Sequence, residues 1–271
     1  MSKVWMIASG KGGVGKSTVT ANLARALARQ DCKVCVVDAD IGLRDQDALL
    51  GVESRIVFDL LDVANQVCVL SQALISPDGE PNLALLPACQ FARAKELEPK
   101  AFRRVLGELK SSFDEVLIDC PAGIERSLRG LMNREIDETI VVCTPDDVCI
   151  RNVERVIPIM EKKGLPRPQV IVNRLIPALI RSGEMYSART VADTLDVPLL
   201  GELPDDSCVY RATLQHMSVL DLECEARGAL LRIASRMTGT DAPLPAYGAA
   251  KLPWYRRLLN AGPKEVRRLD R

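Results

Sequence analysis

The chain has 271 residues, enough to bury a large core in one large domain or two small ones, and 36 basic against 36 acidic side chains leave it with zero formal net charge. That balance gives no whole-chain signature of a nucleic-acid partner, and no apolar run approaches the ~20 residues a membrane span requires. Nine scattered cysteines and a single histidine, His216, read as reduced thiols of a cytoplasmic protein and disfavour both a disulfide framework and a zinc site.

The first predicted element is a strand at residues 4–8, entered at once from the N-terminus, so no signal peptide is expected. Gly10-Lys11-Gly12-Gly13-Val14-Gly15-Lys16-Ser17-Thr18 follows, and then a helical segment to residue 29. Strand, glycine loop and helix make the context of a phosphate-binding loop. Its glycines let backbone N–H groups close around a phosphate chain, and the helix N-terminus adds partial positive charge. Lys16 is placed to reach β- and γ-phosphates, and the Ser17 hydroxyl to ligate Mg²⁺. The same glycines fit a dinucleotide fingerprint, with Asp38 near where an acid would meet a ribose. Lys16-Ser17 decides against that reading, as does a later strand ending on Asp119, a carboxylate suited to a Mg²⁺ water.

Cys32-x-x-Cys35 runs into the second strand and lacks the context of a redox or metal motif. That strand, 34–38, ends in Asp38-Ala39-Asp40. Paired acids after a buried strand are costly unless water or a cation meets them, which implies a solvent-facing or metal-facing edge. Further strands are predicted at 83–86, 116–119, 139–143, 169–173 and 199–203, all short and almost continuously apolar. Helices are predicted at 17–29, 99–111, 128–135, 150–163, 184–195 and 223–238. The alternation argues an α/β, doubly wound, mostly parallel sheet that binds ligands beyond the C-terminal ends of its strands. Asn173, closing the sixth strand, offers a paired donor and acceptor suited to an adenine edge.

Three regions are expected: a nucleotide-binding domain over 1–240, a Pro/Ala/Gly-rich linker over 241–250 and a basic amphipathic tail over 251–271. On a helical wheel Leu252, Trp254, Tyr255, Leu258 and Leu259 fall within an arc of roughly 160°, with Arg256 and Arg257 outside it. Only Glu265 and Asp270 oppose the positive charges of Lys251, Arg256, Arg257, Lys264, Arg267, Arg268 and Arg271. Such a segment behind a flexible linker reads as an interfacial membrane anchor for anionic lipid.

Lys11-Gly12-Gly13-Val14-Gly15-Lys16-Ser17 resembles the deviant Walker A motif of the ParA/MinD ATPases. Asp38-Ala39-Asp40-Ile41-Gly42-Leu43-Arg44 is similar to that family's switch I, and Asp119-Cys120-Pro121-Ala122-Gly123-Ile124-Glu125 to its switch II. The tail resembles the membrane-targeting sequence of one branch, so the likeness covers residues 3 to about 259. The resemblance implies a Mg²⁺-dependent ATPase whose catalytic residues are Lys11, Lys16 and Asp40. Lys11 would cross a dimer interface to the partner's nucleotide, and Asp40 would orient the attacking water. Asp38 would support a Lys16–Mg²⁺ cluster completed by Ser17 and Asp119, and the Gly123 N–H would approach the γ-phosphate. Asn173 and a loop at Pro204 and Asp205 would contact adenine. The resemblance further implies an ATP-dependent homodimer on the cytoplasmic face of the inner membrane, recruiting the division inhibitor MinC and released by MinE, with no DNA binding. The alternatives within the family are DNA-partition and flagellar-number ATPases. The former bind DNA through basic surfaces and have no such tail; the latter usually carry an extension before the phosphate loop. Cys89 and Cys120 lack the glycine-flanked context of the related iron–sulfur proteins, and 212–217 lacks the family's usual Asn-x-Gly.

Overall fold

The computed structural model describes residues 2–93, 96–123, 126–215, 217–245 and 247. The predicted membrane residues Leu252, Trp254, Tyr255, Arg256, Arg257, Leu258 and Leu259 lie outside them, as do Ile124, Glu125 and His216.

Seven strands form one sheet: β1 (Lys3–Ala8), β2 (Val34–Asp38), β3 (Leu83–Leu86), β4 (Glu115–Asp119), β5 (Glu138–Cys143), β6 (Gln169–Leu175) and β7 (Leu199–Pro204). Their order is β3-β2-β4-β1-β5-β6-β7, and every pairing is parallel. Successive residues of β2, β3 and β4 are buried, so helices cover both faces of the sheet, as the unbroken apolar runs require. The seven predicted strands are all present. β6 runs two residues past its predicted end, through a register irregularity that brings Leu175 beside Pro204.

The topology fixes where a ligand can sit. β1 is central: the chain leaves it for β2 and β3 on one side, returns through β4, and crosses to β5, β6 and β7 on the other. The C-terminal ends of β1, β2 and β4 are thereby adjacent, with Asp119 in register with both Ile7 and Asp38. A reversal of strand order there opens the crevice that doubly wound sheets use for ligands.

The helices are α1 (Lys16–Ala28), α2 (Gln46–Leu50), α3 (Leu60–Ala64), α4 (Leu70–Ala73), α5 (Pro99–Lys110), α6 (Arg126–Leu131), α7 (Asp147–Lys162), α8 (Pro177–Ser182), α9 (Ala188–Leu195), α10 (Ser207–Leu214) and α11 (Glu225–Met237). α11 packs on β7 and α1, while α5 packs on β1 and β4. The helix predicted at 128–135 stops at Leu131, because Asn133 donates its amide to Leu131 O and accepts from Glu135 N. The one predicted at 184–195 begins at Ala188, where the Ser187 hydroxyl caps Thr190 N at 3.1 Å. The first residues expected as a linker lie against α11: Arg236 Nε donates to Ala242 O at 2.8 Å, and Arg232 Nη2 to the Tyr247 hydroxyl at 3.3 Å. Among the described residues no helix is long and apolar enough to cross a membrane.

Candidate nucleotide site

The loop after β1 turns on glycines, of which Gly10 and Gly15 admit no other residue without rearrangement. A Cβ on Gly10 would lie 2.6 Å from the backbone of Asn152 and Val153, so the loop touches α7 main chain directly. Gly15, the N-cap of α1, has φ 88°, a left-handed conformation that glycine adopts without strain. Val14 is buried, whereas Lys11, Gly12 and Gly13 are exposed; Ser9 Oγ donates to Lys11 O at 3.1 Å.

Beneath the loop is a buried polar network. Lys16, only 6 % exposed, donates its ammonium to Asp119 Oδ1 at 2.5 Å and to Ser17 Oγ at 3.2 Å. The Thr20 hydroxyl reaches the same Asp119 oxygen at 3.3 Å. Gln46 Nε2 holds the other Asp119 oxygen at 2.7 Å and Ser17 O at 3.0 Å. Asp38 accepts from the backbone N–H of Asp40 at 3.0 Å and of Gln46 at 3.1 Å. Burial, reinforced by the neighbouring Asp119 charge, pushes the Asp38 carboxyl up to about 8 against the pull of those two N–H groups and Lys16. Burial also works to lower the Lys16 pKa, but the charge and hydrogen bond of Asp119 outweigh it and hold the ammonium above its ordinary range.

The network is electrostatically incomplete. Two fully buried carboxylates share one buried lysine, and Gln46 Oε1 is buried without a hydrogen-bond partner. An all-oxygen donor set in which Asp38 is pushed toward its neutral form, and would ionise beside a cation, suits a hard divalent cation such as Mg²⁺, and the glycine loop above it suits phosphate oxygens. The residues present therefore fit a Mg²⁺–nucleotide.

Lys11, Lys16, Ser17, Thr18, Asp40 and Arg174 line an open cleft of about 320 Å³ over the loop. Lys11, Ser17 and Asp40 are brought together around this cleft with Gly12, Gly13 and Gly15. Other predicted site residues have hydrogen-bond partners within the chain. The Gly123 N–H does not project into the cleft but donates to Ser9 O at 2.9 Å, so it reaches a phosphate only after that bond opens. Asn173 is already engaged on both polar atoms: its amide donates to Val14 O at 2.8 Å, and its oxygen accepts from Arg174 N at 2.9 Å. Asn173 and Pro204 do share a wall, with Thr18, Asn22 and Val209, around a cavity of about 30 Å³, too narrow for a purine. Asp205 is exposed outside that wall, its N–H bound to Leu175 O at 2.8 Å. The 212–217 stretch continues α10 to Leu214, and Met217 N closes back on Ala212 O at 2.9 Å.

Two site residues had no sequence signal. Gln46 sits among acids in a segment with no helical periodicity long enough to read, and only the fold carries it to Asp119. Arg174 lines the cleft from a left-handed backbone position (φ 60°), which its type does not announce.

The family model described as "ParA: NUBPL iron-transfer P-loop NTPase" matches residues 1–238. The chain belongs to the ParA/MinD family of P-loop NTPases. Within that family it is 40 % identical over 252 residues to the septum site-determining protein MinD of Synechocystis sp., covering 92 % of this chain and 94 % of that one. Among solved structures it superposes with TM-score 0.84 on the MinC:MinD cell division complex of Aquifex aeolicus, at 35 % identity over 91 % of this chain and 100 % of that chain. A septum site-determining MinD from Pyrococcus horikoshii complexed with Mg-ADP gives TM-score 0.78 at 31 % identity, over 88 % and 96 % of the two chains.

Proposed function

We propose that this family member is an ATP-hydrolysing switch of bacterial division-site placement, dimeric and membrane-bound with ATP, recruiting MinC and released when MinE stimulates hydrolysis. One observation carries the reading. The Lys16–Asp119–Gln46–Asp38 network ties the phosphate loop to the Asp40-bearing segment, inside a chain similar over nine-tenths of its length to MinD relatives. A structure of one relative with MinC and another with Mg-ADP supports the partner and the ligand class.

In this reading Ser17, Asp38 and Asp119 would hold Mg²⁺, which supplies charge neutralisation at the phosphate oxygens. Lys16 exchanges Asp119 for phosphate, and Asp40 orients the attacking water from the cleft wall. The exposed Lys11 completes the site across the dimer. Asn173 with the Pro204–Asp205 loop flanks the base, the Asn173 amide leaving Val14 O to do so. Release of Gly123 from Ser9 O couples nucleotide state to the segment that follows β4.

Membrane attachment rests on the sequence pattern of 251–271, joined to the domain through 241–250. One short apolar face with Arg256 and Arg257 beside it binds anionic lipid weakly; two tails on one dimer gain avidity of about 10²–10⁴. The protein is accordingly placed on the cytoplasmic face of the inner membrane, peripheral and not embedded.

Sedimentation with anionic vesicles tests the whole scheme. ATP should carry the protein and MinC into the pellet, ADP should not, and MinE should return both to the supernatant. ATP-dependent retention on DNA with no vesicle binding would instead establish the partition-type reading.

A further inference from the structure

Asp206 follows β7 and caps two helices at once. Its Oδ1 accepts from Cys208 N at 2.9 Å in the first turn of α10, and its Oδ2 from Ala226 N at 3.1 Å in the first turn of α11. Cys224 is the N-cap residue of α11, so both thiols converge on the carboxylate that joins the helices. Among the described residues, Asp206, Cys208 and Cys224 are the group whose carboxylate oxygen and two Sγ atoms all lie within 4.8 Å of one another. We propose that these three residues bind a thiophilic divalent cation of the zinc class, with solvent supplying the fourth ligand.

The geometry is close to what such an ion needs. Zn–S bonds of about 2.3 Å and Zn–O bonds of about 2.0 Å in a tetrahedron set donor atoms roughly 3.5–3.8 Å apart. The cluster therefore closes on an ion by shifts of an ångström or so, within the reach of side-chain rotation. Cys208 is 7 % exposed, while Asp206 and Cys224 are half-buried, which leaves an entry path and an open coordination position. The carboxylate is already oriented by two backbone donors, and a ligand oxygen held in this way loses little freedom on binding.

Charge also balances. Two thiolates, one carboxylate, a divalent cation and the Arg211 guanidinium, whose Nη2 lies 2.9 Å from Cys208 Sγ, sum to zero. Both thiolates would sit at helix N-termini, where partial positive charge favours them. Binding forms two metal–sulfur bonds and sends two thiol protons to solvent, with no change of oxidation state. The lone histidine argues only against imidazole ligation, and this donor set uses none. The site lies apart from the phosphate loop, but Val209 of α10 and Ala226 of α11 line the narrow cavity beside Asn173. A cation here would fix those two helix starts against each other.

Cobalt(II) serves as a spectroscopic stand-in for zinc. The full chain, reduced and stripped of metal under inert gas, is titrated first with Co²⁺ and then with Zn²⁺. One equivalent of Co²⁺ should give the intense visible bands of tetrahedral thiolate ligation and release about two protons per ion, and Zn²⁺ should then bleach the bands with no further proton release. Cys208→Ser and Cys224→Ser should each abolish the bands and weaken Zn²⁺ binding by about 100-fold or more, whereas Cys32→Ser and Cys68→Ser should change neither. Circular dichroism of the metal-free variants confirms that they are folded. Cys224→Ala provides the same deletion with a smaller, apolar side chain should serine disturb the cap. Absence of tetrahedral bands in the wild type, or their survival in folded Cys208→Ser/Cys224→Ser protein, overturns the assignment.

Discussion

Replacing Lys16 with methionine should destabilise the fold itself, in addition to weakening nucleotide binding. The ammonium is 6 % exposed and the Asp119 carboxylate fully buried, with 2.5 Å between them. Methionine keeps much of the stem volume but leaves Asp119 with only the Thr20 hydroxyl and Gln46 amide as donors. Removing one partner of a buried pair costs about 3–5 kcal/mol, since the remaining charge stays desolvated. With a urea dependence of ~1–3 kcal/mol per molar, the unfolding midpoint should fall by on the order of 1 M or more. The measurement is equilibrium urea unfolding without nucleotide, followed by circular dichroism. Adding Asp119→Asn to Lys16→Met should recover about 1–3 kcal/mol, because the stranded charge is gone. The raised Lys16 pKa fixes the pH window. A raised lysine pKa contributes stability that is complete below the unfolded value near 10.4 and is lost as pH climbs through the folded value above it. The penalty should therefore persist to about pH 9, and grow as pH passes about 8, where Asp38 ionises beside Lys16. An unchanged midpoint for Lys16→Met would mean that the ion pair does not exist in solution, and the argument built on the network would fall with it.

Asp40→Ala should bind ATP and remain on vesicles while hydrolysis drops by about 10²–10⁴, read by phosphate release with MinE present. Lys11→Ala should keep nucleotide affinity within about threefold but form no ATP-dependent dimer by light scattering, with hydrolysis reduced by about 10³ or more. Wild-type dimerisation of that variant would remove the trans role. Leu258→Glu should lose vesicle sedimentation while still dimerising with ATP, and a covalently linked wild-type dimer should sediment even with ADP. If the linked dimer waits for ATP, valency alone does not control attachment.

The sheet was legible in the sequence for a physical reason. Strands buried on both faces must be apolar at every position, and such runs stand out without any periodicity to measure. Asp38 and Asp119 were legible because carboxylates ending such runs contradict their surroundings unless a cation explains them. Gln46 carried no contradiction: a glutamine beside a turn is ordinary until the parallel register of β2 and β4 sets it over Asp119. Asn173 was legible in place but not in its contacts, since only the packed loop reveals that both its polar groups are already engaged. The short helices α2, α3, α4 and α8 escaped because four to six residues are too few to show a helical repeat. Cys208 and Cys224 escaped because fifteen intervening residues match no ligand spacing, and only the two helix starts bring them together.

The strand order also sets a schedule. Lys16 and its carboxylate are 103 residues apart in sequence, and β1 lies between strands that emerge only long after it. At a synthesis rate of ~5–20 residues per second, a ribosome makes the lysine roughly 5–20 s before it makes Asp119. Through that interval β1 has neither neighbour, and the phosphate loop has no floor. The loop of a nascent chain thus lacks its buried carboxylate until half of the domain has been made. Nucleotide capture then doubles as a report that the sheet has closed.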